Sequence, residues 1–162
     1  MKVKIFFSAL LLSLLAIACN TLAPTRNTAL EKRLVGPWQS GSLKLTMNTF
    51  GNKDTTRVFE VDETTWQAKM GMRPIHTIYF GDGTFISEHR NLKDSVIFSP
   101  AGVWNIMGDT LMVKDTFPEV GLPYKYKIVI NEKIAELTGI EDCDNDGTAD
   151  DDYYGTIRRQ KR

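Results

Sequence analysis

The sequence predicts an all-β domain, an antiparallel meander of short strands, and three observations predict it. From residue 43 onward, runs of β-branched and aromatic residues alternate with turn residues at intervals of about ten positions. Asp82-Gly83, standing between Phe80 and Phe85, is a strong hairpin signal, because a type I′ turn needs positive φ at both central positions. The one helical pattern is short and ends at Gly36-Pro37, a pair that stops a helix.

The chain opens with Lys2 and Lys4, an apolar stretch over residues 5–15 and the small-residue run Ala16-Ile17-Ala18 before Cys19. A basic head, an apolar stretch too short to span a bilayer and small residues at the cut make a processed secretory leader, residues 1–18. The thiol at the cut resembles the lipobox of bacterial lipoproteins. That resemblance implies that Cys19 receives a diacylglyceryl thioether and becomes the new amino terminus. Several acyl chains hold a domain stably at a membrane. Asn20 rather than Asp at the second position implies, by the same resemblance, the outer membrane facing the periplasm. Removing the leader leaves 144 of the 162 residues, one domain's worth, with 18 basic against 20 acidic side chains, a net charge near −2. No field suited to nucleic acid remains. Cys143 is the only other cysteine, so stability has to come from a packed core rather than a disulfide.

Residues 19–27 read as the lipidated end and a tether, and the domain occupies residues 28–162. Asn27 is placed to cap a brief helix running to about Val35, with Glu31 in its first turn. Strands are expected over residues 43–50, 56–61, 65–70, 75–80, 84–89, 96–98, 103–107, 110–114, 124–130, 134–140 and 153–159. Gly108-Asp109 and Asn131-Glu132 are further, weaker turn signals. A sheet of this length removes its edges either by closing into an up-and-down barrel or by stacking as a sandwich. Closure is the favoured expectation.

The preference comes from a short helix followed by Gly36-Pro37-Trp38, and from a final strand that carries Arg158 and Arg159. This arrangement resembles the lipocalin superfamily, and the lipocalin-like bacterial lipoproteins in particular. The resemblance implies that an arginine of the last strand, Arg158 or Arg159, lies over the Trp38 indole at the closed end of the barrel. The hairpins around Tyr79 to Phe85 and Gly102 to Leu111 agree with it, although Gly102-Val103-Trp104 repeats the Gly-x-Trp pattern. The function it implies is the binding or carriage of a small hydrophobic molecule.

An eight-stranded barrel either fills with side chains or holds one small ligand. Trp66, Phe80, Phe85, Phe98, Trp104, Met107 and Tyr126 are the candidates to line such a cup, and equally to fill a solid core. If Asp82-Gly83 is a two-residue loop, His76 and His89 face each other across a strand pair. The sharpest ion signal is the run 142–152, with six aspartates. Carboxylates at alternate positions with glycine after the third match the start of a calcium loop. Asp142, Asp144 and Asp146, the Thr148 carbonyl and Asp150 are its candidate ligands, but Tyr153 stands where an EF-hand has its bidentate Glu. The alternative function is therefore a structural or interaction module stiffened by calcium. No nucleophile elbow, zinc-protease motif or phosphate loop is present, and a non-enzymatic role is expected.

Overall fold

The computed structural model describes residues 24–161. The leader, Cys19 and the first part of the tether lie outside the described residues.

Asn27 caps α1 (Thr28–Leu34), its side-chain oxygen accepting from the Leu30 N–H at 3.0 Å and its amide donating to the Gly108 carbonyl at 2.8 Å. The helix stops at Gly36, whose φ of +122° suits only glycine, and Pro37 follows. Ten strands come next: β1 (Gly36–Met47), β2 (Arg57–Val61), β3 (His76–Tyr79), β4 (Thr84–Arg90), β5 (Val96–Phe98), β6 (Ala101–Met107), β7 (Thr110–Phe117), β8 (Tyr124–Asn131), β9 (Ile134–Glu141) and β10 (Asp151–Arg159). A second short helix, α2 (Trp66–Met70), separates β2 from β3.

Eight of the strands close a ring in the order β1, β3, β4, β6, β7, β8, β9, β10, every pairing antiparallel. Closure runs from Trp38↔Arg159 to Thr46↔Asp152 between the first and last strands. On its other edge β1 pairs with β3 over Gly36 to Gln39, then with β2 over Leu43 to Met47. β5 similarly extends the far end of β4. The fold is an up-and-down barrel of lipocalin-like type with a short amino-terminal helix, not a sandwich.

Turn chemistry departs from expectation at three places. The 65–70 segment is a helix rather than a strand. Asp62 explains it: one of its carboxylate oxygens accepts from the N–H and hydroxyl of both Thr64 and Thr65, at 2.7 to 2.9 Å. The β-branched pair that reads as strand is engaged in a turn, good helix formers follow, and Gly71 closes the helix at φ +65°. Tyr79 pairs with Phe85 and the Phe80 N–H donates to the Thr84 carbonyl at 2.8 Å, so the β3–β4 turn holds three residues, 81–83, with positive φ at Gly83 alone. His76 therefore opposes Glu88, and the two histidines point to opposite faces. Asn131 pairs with Ile134, so the β8–β9 turn is Glu132-Lys133, one residue later than the dipeptide signal.

The core occupies the end of the barrel under α1. Leu34, Trp38, Ile106, Leu111, Ile130 and Ala135 are buried there. Arg159 lies over the Trp38 ring, Cζ 4.4 Å from its centroid, and donates to the carbonyls of Val35 (2.9 Å) and Arg33. The Trp38 indole N–H donates to the Leu34 carbonyl at 2.6 Å. Of the two arginines offered by the sequence, Arg159 takes this place; Arg158 forms an ion pair with Glu63 instead. The second Gly-x-Trp has a different cause. A Cβ on Gly102 would lie 2.0 Å from the Lys114 carbonyl oxygen, because β6 and β7 close on each other at a register shift.

Candidate functional site

Above the packed end the barrel is hollow, with a cavity of about 270 Å³ that opens at the end opposite α1. Its lining follows from strand alternation. On β7 the inward row runs Leu111, Val113, Asp115, while Lys114 between them is exposed. β4 contributes Phe85, Ser87 and His89, and β3 contributes Thr77 and Tyr79. Tyr124 and Tyr126 enter from β8, Leu137 from β9, and Tyr153 and Ile157 from β10. Depth is apolar and the mouth is polar.

The tyrosines are arranged by contact. Tyr126 and Tyr153 have ring centroids 4.8 Å apart, and Tyr124 lies parallel to Tyr126 at 6.4 Å. Across the barrel Tyr79 meets Phe85 at 6.2 Å and takes the edge of Trp104 at 5.4 Å. Two glycines make room for the rings: a Cβ on Gly139 would touch Tyr126, and one on Gly155 would touch Tyr153. No hydrogen bond joins the hydroxyls of Tyr79, Tyr126 or Tyr153 to another described residue. Burial pushes all three phenols up, Tyr153 to about 12, with Cys143 and Glu141 adding to the effect on Tyr153. At neutral pH each is a hydrogen-bond donor inside the barrel.

Two ionisable groups complete the lining. Burial pulls His89 below its ordinary value, against the opposing pull of Asp115. Burial likewise raises Asp115, with His89 opposing. The His89 ring stands edge-on to Phe98 at 5.2 Å. The Thr77 and Ser87 hydroxyls bond each other at 2.7 Å.

Of the seven side chains expected to line a cup, Phe85 and Tyr126 do so. Trp104 is buried one layer below, its indole N–H donating to the Thr84 carbonyl at 2.8 Å. Trp66 is buried as the anchor of α2. Phe80 is exposed in the β3–β4 turn, Phe98 is exposed on β5, and Met107 lies at the α1 end, bridged to Arg26. Asp115 and the wall of Tyr124 and Tyr153 were not anticipated. Alternation from Leu111 through Val113 is the signal that could have found Asp115.

The Asp-rich segment joins β9 to β10 beside the mouth. Asp142 and Asp144 converge with Asp151, their ligand oxygens within 4.8 Å of one another. Asp151, absent from the expected set, is buried and accepts from the N–H of Cys143 (2.7 Å) and of Asn48 (3.1 Å). The other expected ligands, Asp146, Thr148 and Asp150, lie outside this cluster. Asp146 accepts from the Asn52 N–H at 3.0 Å, Asp150 accepts from the Thr49 hydroxyl at 2.8 Å, and the Thr148 carbonyl accepts from the Asp150 N–H at 3.1 Å. With Gly51 N–H donating to Asp144 at 2.6 Å, these bonds fasten the β1–β2 loop to the acidic segment. Comparison with known protein families finds no family model that matches the chain, and comparison with curated proteins finds no relative.

Proposed function

We propose that this chain is a membrane-tethered barrel that binds a small, largely apolar molecule in its interior, acting by burial rather than by chemical conversion. The observation that carries the reading is the cavity of about 270 Å³, open at one end and lined by rings whose hydroxyls are engaged by no described residue. Apolar concavities with a few convergent polar groups are the usual form of small-molecule sites. The leader ending at Cys19 supports attachment to the outer membrane. Native mass spectrometry of the chain from Asn20 onward, with and without chelator, tests this. An adduct of small-molecule mass that survives chelation is expected; a bare protein that also takes up no small apolar probe would sink the reading.

A second reading is favoured by the Asp142, Asp144 and Asp151 convergence. Three carboxylates with no lysine or arginine among the described residues paired to them repel one another, and a hard cation such as calcium would relieve that while stiffening the β9–β10 connection. The oxygens of these three residues would hold it. Melting with calcium and with chelator is the test, and Asp142→Asn with Asp144→Asn should abolish any difference. A calcium response unchanged in that double variant removes this reading.

A further inference from the structure

Among the described residues, no lysine or arginine lines the barrel cavity. The basic residues of the neighbouring strand segments, Lys114 and Lys125, fall on outward positions and are exposed. Facing inward is Asp115, half-buried, its carboxylate making no ion pair or hydrogen bond to another described residue. The group that acts on it is His89, which burial keeps toward its neutral form. Around the same space stand Tyr124, Tyr126 and Tyr153 on one side and Tyr79 with Phe85 on the other.

The faces of aromatic rings carry negative potential and attract cations, and a cage of such rings is the general device for holding an ammonium group. A carboxylate at the mouth adds to that attraction, least screened where water is partly excluded. An anionic ligand would bring its charge against Asp115 and the tyrosine rings with no fixed cation to receive it. The volume, about 270 Å³, lies just below the range for drug-sized ligands, so it suits one ring system better than a long acyl chain.

We propose that the ligand of this cavity is a small organic cation, an amine or quaternary ammonium on a compact apolar body, its charge held between the tyrosine rings and Asp115. The assignment rests on the reading of the barrel as a small-molecule binder and narrows it to a charge class. Three soluble probes of similar shape separate the two: 2-phenylethylammonium, 2-phenylethanol and phenylacetate, titrated at neutral pH into the chain from Asn20 onward, which contains the whole described barrel. Tyrosine ring signals in two-dimensional NMR report occupancy. The ammonium is expected to bind about tenfold tighter than the alcohol, and phenylacetate more weakly than either. Asp115→Asn should shrink the advantage of the ammonium over the alcohol to about threefold or less. Alcohol or carboxylate binding as tightly as the ammonium to the unmodified chain overturns the charge assignment and leaves the binder intact. No shift of any cavity tyrosine with any probe up to about 10 mM overturns both.

Discussion

The hydroxyl of Tyr153 lies over Gly155, two positions along the same face of β10, so that a Cβ at 155 would stand 2.7 Å from it. The ring occupies space in the barrel that the missing side chain leaves open. Gly155→Ala should therefore move Tyr153 rather than unfold the chain, because the atom displaced is the far end of a side chain. Stability is expected to change by no more than about 1 kcal/mol, since alanine is also the less costly residue in a strand. Binding of an interior probe should weaken several-fold. Unchanged affinity together with unchanged Tyr153 chemical shifts would contradict this placement of the ring.

Gly102 presents the opposite case. The atom 2.0 Å from its would-be Cβ is the Lys114 backbone oxygen, and Phe85 closes in at 2.8 Å. The backbone oxygen cannot yield unless β6 and β7 separate. Gly102→Ala should cost about 3 kcal/mol or more, at the upper end of overpacking effects. Urea denaturation is the measurement; a loss under about 0.5 kcal/mol would contradict the close approach of the strands.

Arg159 ties three segments with one guanidinium, covering Trp38 and donating to two carbonyls at the end of α1. Lysine keeps the charge but cannot reproduce the planar fork. Arg159→Lys should destabilise by about 1–3 kcal/mol and alter Trp38 fluorescence. Arg158→Lys, whose parent makes a surface ion pair, should cost less than about 0.5 kcal/mol. Equal losses in the two variants would contradict the assignment of Arg159 to the closed end.

Asp62 supplies a dependence on acid. Hydrogen bonds from the Thr64 and Thr65 hydroxyls, then from their N–H groups, hold its carboxyl at about 2 rather than 3.8. A folded value below the unfolded one stabilises the fold above about pH 4 and loses that contribution as the pH falls toward 2. Asp62→Asn should therefore flatten the fall in melting temperature between those pH values. Parallel profiles for the two chains would show that Asp62 is not a linkage site.

The meander was legible because β-branched and aromatic runs recur between turn residues, and the contact of Trp38 with Arg158 or Arg159 was legible only through the resemblance of Gly36-Pro37-Trp38 to the lipocalin opening. α2 was hidden: Thr64 and Thr65 have strand propensity, yet Asp62 engages both in a turn, a local bond that composition does not show. The facing histidines failed by a single residue, since a three-residue turn in place of a two-residue one shifts the pairing by one position and puts His89 on the face opposite His76. Within the acidic run, Asp151 differs from its neighbours only in beginning a strand with its side chain inward, so no spacing rule separates it from Asp150 or Asp152. Asp115 reads as a surface residue beside Lys114 until the register of β7 is known.

The described chain begins at the closed end of the barrel. Thr25 accepts from the Gly108 N–H and Asn27 donates to the Ile106 carbonyl, both at 2.8 Å, which pins the entering segment to the β6–β7 turn. The mouth, with His89, Asp115 and the acidic segment, is at the far pole. A barrel moored by its amino end would stand upright on the membrane like a cup on a saucer. Its cargo would then exchange with the aqueous compartment above, and a molecule partitioned into the lipid would have to leave the bilayer before it could be caught.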